Sequence, residues 1–456
     1  MTHLTHAIRS SLRLTSGDVI DPSLENRVPP TREKPVRPLS RNRDFVILWV
    51  GQSISALGSA ISSVSFVLLT LAITRSAAHA GIVASVAAVT TLVCRLPAGS
   101  LADRCDRRLI MISADLGRAV ALGSLVITGV TDRVTFAHIL AVATVEAALS
   151  SCFHPAETAA LRHVVAAEQV TQAVARNESR THVATLIGPA LGGALFSVGR
   201  MVPFLVDAVS YLVSAVGLSL IRRPLQNAGH HAAQRDRKSV GTGLRWLWRE
   251  QFVRGAMLWF ASVTFVFQSI GLVCILLAER RGASPAATGL LFSITSTGGL
   301  VGALAAPRLV ARFRPRTLIT AFGWVAATVT PLLAVAPSAY LIGVIGAVAF
   351  FLGPAANASI IGYVLTEADS SIQGRVSAAV HFLGGILLPV APALAGVLVQ
   401  WLDAVPTVLL YSSVLLALAI FTTATRNLGV RHDEQRWRSC PRQGDSPSGP
   451  GCPAAG

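Results

Sequence analysis

The sequence predicts an all-α membrane protein with twelve transmembrane helices, arranged as two parallel repeats of six helices. The first observation is composition. Of 456 residues, 52% are hydrophobic and only 14% are charged, which is too apolar for the surface of a water-soluble fold. The second is a pattern that occurs twice. Gly99–Ala102 returns as Gly302–Ala305, and Pro189–Leu195 returns as Pro392–Leu398, both displaced by 203 residues. Two matches in one register indicate two homologous halves.

Long apolar runs define the individual helices. A run of about 20 residues crosses a hydrocarbon core of about 30 Å as a helix, because lipid cannot pair exposed backbone groups. Six such runs occur in each half. The predicted spans are 45–74, 79–101, 108–130, 134–156, 170–198, 202–222, 254–278, 286–308, 317–336, 339–364, 374–401 and 405–425. An even number of spans per half starts both halves on the same side, so the repeats are parallel.

Positive charge is distributed unevenly between the two sides of the predicted bundle. Of 39 Lys and Arg residues, 30 lie in the N-terminal segment, the even-numbered loops and the C-terminal segment, and five lie in the odd-numbered loops. Such an excess marks the cytoplasmic side, so both termini are expected in the cytoplasm of a cell-membrane protein. This topology and the lipid bilayer account for the net charge of +16 without nucleic acid as a partner. The six cysteines show no disulfide or metal-site spacing.

The spans divide the chain into five predicted segments. They are a disordered cytoplasmic arm (1–43), an N-terminal six-helix bundle (44–222), a cytoplasmic linker (223–253), a C-terminal six-helix bundle (254–426) and a disordered cytoplasmic tail (427–456). The arm is polar and rich in Arg and Pro, and it has no apolar run of the kind that a secretory signal contains. The linker holds Gly243–Arg249, with two Trp and two Arg, a pattern that fits either an amphipathic helix in the inner interface or a plain linker helix.

The loop after the second span places a carboxylate in a basic cluster. Its key residues are Gly99, Asp103, Arg104, Arg107 and Arg108. Ionic contacts of such a loop can form in one conformation and break in another, which suits a gate. This stretch resembles the signature loop of the major facilitator superfamily, with Asp106 where the family often has glycine. The second-half copy, Gly302–Arg308, lacks the acid, so a charge latch should depend on Asp103.

The fifth span carries a proline and glycine motif made of Gly188, Pro189, Gly192 and Gly193. Proline removes a helical hydrogen bond and glycine permits close packing, so the segment is either a hinge or a kinked packing helix. It resembles a helix 5 motif found mainly in exporters of this superfamily. Further stretches resemble the branch that includes the enterobactin exporter and macrolide efflux proteins. They are Leu48–Gln52, Asp115–Ala119, Phe204–Tyr211 and Gln373–Ala378.

The resemblance covers roughly residues 41–425. It implies that Asp103 approaches the start of helix 11, near Gln373 and Arg375, when the central cavity faces outward. It also implies that helices 1, 4, 7 and 10 line that cavity. Polar residues on these helices are few. The predicted cavity residues are Gln52, Ser62, Ser65, Phe66, Gln268 and Asn357. A mostly apolar cavity with a few polar groups suits an amphipathic organic molecule better than an ion or a sugar.

Ionisable residues within the spans are candidates for function, because they are costly in lipid. Asp115 and Arg118 share one face of helix 3 and can pair, either to support the Asp103 loop or to take part in transport. Glu146 lies about twelve residues into the fourth span, close to the predicted midplane. A carboxylate there favours its protonated form, which suits either a proton carrier or a structural hydrogen bond to a neighbouring helix. Arg95 is a possible partner for it.

Motifs for enzymatic chemistry are absent from the sequence. It contains no phosphate-binding Gly-x4-Gly-Lys-Ser/Thr loop and no His-Glu-x-x-His pair, so we expect no enzyme, no cofactor and no metal. The predicted function is a monomeric exporter of an amphipathic small molecule, such as a drug or a siderophore, driven by proton antiport through alternating access. An importer or symporter of the same fold is the main alternative, and a membrane protein without a transport role is a remote one.

Overall fold

A computed structural model describes residues 38–221, 225, 251–367, 385 and 387–424. Within these ranges the chain forms thirteen α-helices and no strands. They are α1 (Arg43–Thr74), α2 (Ala77–Arg104), α3 (Arg107–Val130), α4 (Phe136–Val164), α5 (Val170–Val198), α6 (Val202–Leu220), α7 (Gln251–Arg280), α8 (Pro285–Arg312), α9 (Pro315–Val329), α10 (Ala339–Phe350), α11 (Gly353–Glu367), α12 (Val390–Leu402) and α13 (Ala404–Ala424). Short 3₁₀ turns occur at Leu39–Arg41, Ala167–Gln169 and Thr330–Ala334.

The all-helical membrane fold predicted from composition is confirmed. The described part of the chain contains eleven segments that are long and apolar enough to cross a membrane. The helix α12 is a shorter apolar helix at the end of the predicted span 374–401. The predicted arm, linker and tail fall almost entirely outside the described residues, as do Gln373 and Arg375.

Side-chain caps and prolines set most helix boundaries. The capping side chains, each of which accepts a backbone amide hydrogen bond, are Asn42, Ser76, Asp106, Thr135, Ser284 and Ser338. One predicted span, 339–364, is divided into α10 and α11. Pro354 follows the break and cannot donate to the carbonyl of Phe350. The helix α4 extends to Val164, eight residues beyond the predicted end at 156, and this extension brings Glu157 into the membrane bundle.

The helices of each half pack mainly on one another, and one large buried cluster contains residues of both halves. In the first half, α1 packs on α5 and α6. The helices α3 and α4 pack on each other, α3 also packs on α6, and α4 also packs on α2. In the second half α8 packs on α10, and α9 packs on α13. Extensive contact between the halves is confined, within the described ranges, to α5 against α8 and α2 against α12. These four helices meet at the ends that adjoin the odd-numbered loops, so the halves are joined at that side.

Candidate functional site

A cavity of about 290 Å³ lies in the first half, between α1, α4 and α5. Its lining residues include Gln52, Ser55, Ser59, Ser62, Phe66, Arg118, Glu146, Phe153, His154, Glu157 and Arg180. Hydroxyl groups and two aromatic rings form most of this wall, and its charged groups belong to two clusters. The combination provides apolar contact together with a few groups that can bind hydrogen-bonding atoms.

The first charged cluster is an ion pair between α3 and α4. The Nη2 atom of Arg118 lies 2.5 Å from Oε1 of Glu146, and Nε of Arg118 donates to the same oxygen at 3.2 Å. The Arg118 side chain is only 5% exposed, whereas Glu146 is 22% exposed to the cavity. A nearly buried pair of this kind is strongly coupled, since removing one partner typically costs about 3–5 kcal/mol.

The sequence did not identify this partner for Glu146. Arg95, the cation that the sequence left open as its partner, is exposed on α2, so that interpretation is wrong. The predicted pair of Asp115 and Arg118 is present, with 3.8 Å between Nη1 and Oδ1. Asp115 is therefore a more distant partner of the guanidinium than Glu146. The Arg118 side chain crosses from its own helix to α4, which neighbour spacing along one helix does not reveal.

Two further polar groups complete the first cluster. The Tyr211 hydroxyl on α6 donates to Oε1 of Glu146 at 3.1 Å and lies 2.9 Å from the Ser59 hydroxyl on α1. Arg118 donates to both hydroxyl oxygens, and its guanidinium carbon lies 3.8 Å from the centre of the Tyr211 ring. Neither Tyr211 nor Ser59 is among the predicted site residues. A polar side chain within an apolar span was the sequence feature that could have identified these two residues. Hydroxyl groups are too common in helices for that feature to distinguish them.

The second charged cluster joins α4 and α5 on the same cavity wall. Nη2 of Arg180 on α5 contacts Oε1 of Glu157 on α4 at 2.9 Å, and both side chains are less than 10% exposed. The ring of His154 lies 3.8 Å from the other carboxylate oxygen. The extended α4 provides the carboxylate that pairs with Arg180 between the two helices.

Three of the four predicted cavity residues on α1 line the cavity, and the fourth does not. Gln52 donates to the Ser214 hydroxyl at 2.8 Å, and Phe66 packs edge-on against Phe204, yet both also line the cavity. Ser62 lines it as well. Ser65 does not, because it is fully buried and donates to a carbonyl of its own helix. Ser65 follows Ser62 by three residues, an offset of about 60° around a helix of 3.6 residues per turn, and this offset places Ser65 in the core.

The two predicted cavity residues of the second half lie away from this cavity. Gln268 is exposed on α7, and Asn357 is half-buried on α11. Phe267, beside Gln268, stacks on Phe322 with 5.8 Å between ring centres and contributes to the core of the second bundle. The structure therefore places the described cavity against the first half and leaves these two residues outside its lining.

The predicted gating loop is fixed by its arginines. Arg107 donates to the backbone carbonyls of Ala102, Ala159 and Leu225, which ties the loop to α4 and to the chain beyond α6. The Arg108 side chain donates to the carbonyl of Ser219. Arg104 is exposed, and Asp103 belongs to the last turn of α2, while Gly99 has open space beside its Cα. These arginines therefore anchor the loop within the first half.

The helix 5 motif lies at the contact between the two halves. The helix α5 is continuous through Pro189. A Cβ atom at Gly192 would lie 2.6 Å from the carbonyl oxygen of Ile61 on α1, and one at Gly193 would overlap the carbonyl oxygen of Pro285 on α8. Gly188 likewise faces Ala60 on α1. The motif thus permits the close approach of three helices, and a hinge role remains a prediction.

The repeat that was found in the sequence forms a symmetric contact in space. The backbone amide of Ala190 donates to the Ser293 hydroxyl on α8 at 3.2 Å. In the second half, the amide of Ala393 donates to the Ser85 hydroxyl on α2 at 2.8 Å. Each of these amides follows a motif proline, Pro189 or Pro392. The two copies of the motif therefore join the halves through the same type of contact, from a backbone amide to a serine hydroxyl.

Two helical repeats that meet at one end, with a cavity lined by the first of them, are the arrangement of a membrane transporter. The chain belongs to the Major Facilitator Superfamily, whose family model matches residues 48–387. Membership explains why both halves carry versions of the same motifs.

Similar proteins agree with this assignment. The chain is 28% identical over 376 residues to the multidrug efflux pump Tap of Mycobacterium tuberculosis. The aligned region covers 79% of this chain and 88% of Tap. It is 26% identical over 182 residues to macrolide efflux protein A of Streptococcus pyogenes, covering 40% and 45% of the two chains.

Among solved structures, the nucleoside transporter NupG matches with a TM-score of 0.68 at 13% identity, covering 84% of this chain and 98% of that one. A bacterial homologue of the lysosomal transporter Spinster, in an inward-facing conformation, matches with a TM-score of 0.64 at 14% identity, covering 85% and 98%. These likenesses establish the shared fold.

Proposed function

We propose that this transporter exports an amphipathic small molecule in exchange for protons by alternating access. The single observation that carries the proposal is the cavity wall on which Glu146, partly exposed, pairs with the nearly buried Arg118. Two efflux proteins among the relatives support export, as does the resemblance of the helix 5 motif to exporters. We further propose a monomer in the cell membrane with both termini in the cytoplasm.

The chemistry follows from the partial exposure of Glu146. Water in the cavity can deliver a proton to this carboxylate, and protonation removes the charge that attracts Arg118. The guanidinium is then released from Glu146, and contacts between α3, α4 and α6 change. A site whose charge depends on the proton, placed on the wall that the substrate contacts, couples substrate release to proton uptake.

The cavity favours an amphipathic substrate. Phe66 and Phe153 provide apolar surface, and the hydroxyls of Ser55, Ser59 and Ser62 provide a few hydrogen-bonding positions. The wall combines this apolar surface with hydroxyl, amide and charged side chains, and an amphipathic molecule uses both kinds of contact.

An accumulation assay tests the function. Cells of a bacterial strain that lacks its main efflux pumps would express the chain and receive ethidium or erythromycin, with an empty vector as control. We expect lower accumulation in the expressing cells and recovery of accumulation on adding a protonophore. Higher accumulation would favour the importer alternative, and equal accumulation for both probes would contradict export of these molecule types.

The topology proposal predicts opposite locations for two reporter fusions. A fusion after residue 78 should report the outer side and a fusion after residue 240 the cytoplasm, because Lys and Arg concentrate on the side of the termini. Alkaline phosphatase activity for the first fusion and green fluorescence for the second would agree with this. Identical locations for the two fusions would contradict the topology.

The gate predicts a defect on changing Asp103 to asparagine. If this carboxylate forms an ionic contact in one state, its loss removes about 1.5–3 kcal/mol from that state and shifts the populations by roughly 10- to 100-fold. Efflux should fall while insertion and ethidium binding persist. The matched control is Asp106→Asn, since Asp106 caps α3 and asparagine caps helices equally well. Normal efflux by a well-expressed Asp103→Asn protein would refute the latch.

A further inference from the structure

A second carboxyl group in the first half has no role in the mechanism above. Asp207 on α6 is fully buried. Its Oδ2 accepts a hydrogen bond from the Ser62 hydroxyl on α1 at 2.5 Å, and its Oδ1 accepts one from Ser210 at 3.2 Å. A Cβ at Gly58 would lie 2.5 Å from Oδ1, so glycine is needed for α1 to approach this carboxyl group. Buried carboxyl groups within a membrane bundle are costly and are therefore candidates for function.

The charges that surround Asp207 do not balance. Among the described residues, α3 contributes Arg118, α4 contributes Glu146, and α6 itself contributes Tyr211. Asp115 on α3 lies 3.8 Å from the same guanidinium. A serine and a glycine of α1 face Asp207. Residues 183–198 of α5 contain no ionisable side chain. Three carboxyl groups thus share one guanidinium.

Neutrality of this cluster requires two protons. Unpaired charge buried away from water is unfavourable by several kcal/mol, so two of the three carboxyl groups are neutral. Glu146 holds the short contact to Arg118 at 2.5 Å and is the carboxyl group that pairs with the guanidinium. The two protons therefore lie on Asp115 and Asp207.

Asp207 has a connection to the cavity. Its hydrogen-bond partner Ser62 lines the cavity, and Ser59, one turn earlier on α1, contacts Tyr211 and Arg118. A hydroxyl group can accept and donate at once, so it can pass a proton between a carboxyl group and cavity water. Asp115 is not part of the cavity lining.

We propose that Asp207 is a second proton-binding site, which exchanges its proton with the cavity through the Ser62 hydroxyl. The site itself follows from the charge arrangement, and only its part in transport rests on the proposed antiport. In that role it holds a proton while Glu146 is paired with Arg118. When Glu146 takes up a proton, Arg118 becomes available to stabilise ionised Asp207, whose proton leaves through Ser62. In one cycle Glu146 binds a proton while the cavity faces outward, and Asp207 releases one through Ser62 once the cavity faces inward. Transfer of the Glu146 proton to Asp207 then restores the starting state, so one proton crosses the membrane.

Infrared difference spectroscopy tests the site without a transported molecule. Purified full-length protein in detergent should show, at neutral pH, a carbonyl stretching band of protonated carboxyl groups. Asp207→Asn should remove the Asp207 part of this band and leave the part that belongs to Asp115. The matched control is Asp132→Asn, an exposed residue in the turn after α3, and it should leave the band unchanged. A band of equal size in wild type and Asp207→Asn would overturn the proposal.

A second variant guards against misfolding of Asp207→Asn. Ser62→Ala removes the hydroxyl and keeps the carboxyl group, so the Asp207 part of the band should shift to higher frequency and exchange more slowly in D2O. An unchanged frequency and exchange rate would overturn the role of Ser62. The outcome is separable from the transport proposal. Loss of the Asp207 part of the band in a chain that does not pump supports the site and contradicts antiport, whereas pumping with an unchanged band supports antiport and overturns the site.

Discussion

Glutamine at position 146 is expected to abolish uphill efflux while downhill exchange continues. The amide keeps the size of the side chain and can still accept a hydrogen bond from Arg118, so the fold of α3 and α4 should persist. It cannot bind and release a proton, so the proton gradient no longer drives the cycle. Ethidium should then equilibrate across the vesicle membrane and should not accumulate on one side.

Vesicles with an imposed pH gradient provide the measurement. Ethidium fluorescence would be followed in wild type and in Glu146→Gln, with Glu178→Gln as the matched control, because Glu178 is exposed on α5. The control should pump like wild type. If Glu146→Gln still pumps uphill and a protonophore still stops it, the coupling group lies elsewhere. If a protonophore has no effect on wild type, proton antiport itself is wrong.

Leucine at position 193 is expected to separate the two halves at their point of contact. The Cα of Gly193 faces the backbone of Pro285 and the Cα of Gly289, and a Cβ there would lie 3.0 Å from the latter. Backbone atoms on both sides cannot rotate away as a side chain can. Overpacking of this kind typically costs about 1–3 kcal/mol, which falls only on the state in which α5 and α8 are in contact. Efflux should therefore drop, and the joined end should open.

Thiol labelling measures this opening. A cysteine at Ala56, which lines the cavity, would be introduced into a chain without other cysteines and exposed to an impermeant maleimide outside. Gly193→Leu should speed labelling, and Gly193→Ala should have a smaller effect. Gly123→Leu is the control, because no atom lies within 4 Å of a Cβ at that position. Equal labelling and efflux in Gly193→Leu and wild type would contradict a gate at this contact.

Several features of the site followed from the sequence because they depend on neighbours along the chain. The motif from Gly188 to Gly193 was evident from its proline and glycines, and the pair of Asp115 with Arg118 from its spacing. Glu146 was evident as a lone carboxylate in an apolar run. Its dominant contact was not, because the position of Arg118, 28 residues away, depends on how α3 is rotated against α4.

Packing also revealed what the motifs contact. The glycines of α5 were predicted as a hinge or as a packing surface, and the structure adds the partners, Ile61 on α1 and Pro285 on α8. The equivalent contacts of Ser293 and Ser85 with backbone amides could not be inferred, since a serine in a span usually bonds within its own helix.

Composition and hydropathy along the chain predicted the membrane class, eleven long apolar spans that the described ranges contain, and the repeat. Hydrocarbon requires a continuous apolar helix of a given length, and that is a property of consecutive residues. The tertiary structure decided which polar side chains meet: Arg118 with Glu146, Arg180 with Glu157, and Ser62 with Asp207. Each pair joins two helices, so it depends on helix rotation and crossing, which the packing of the whole bundle sets.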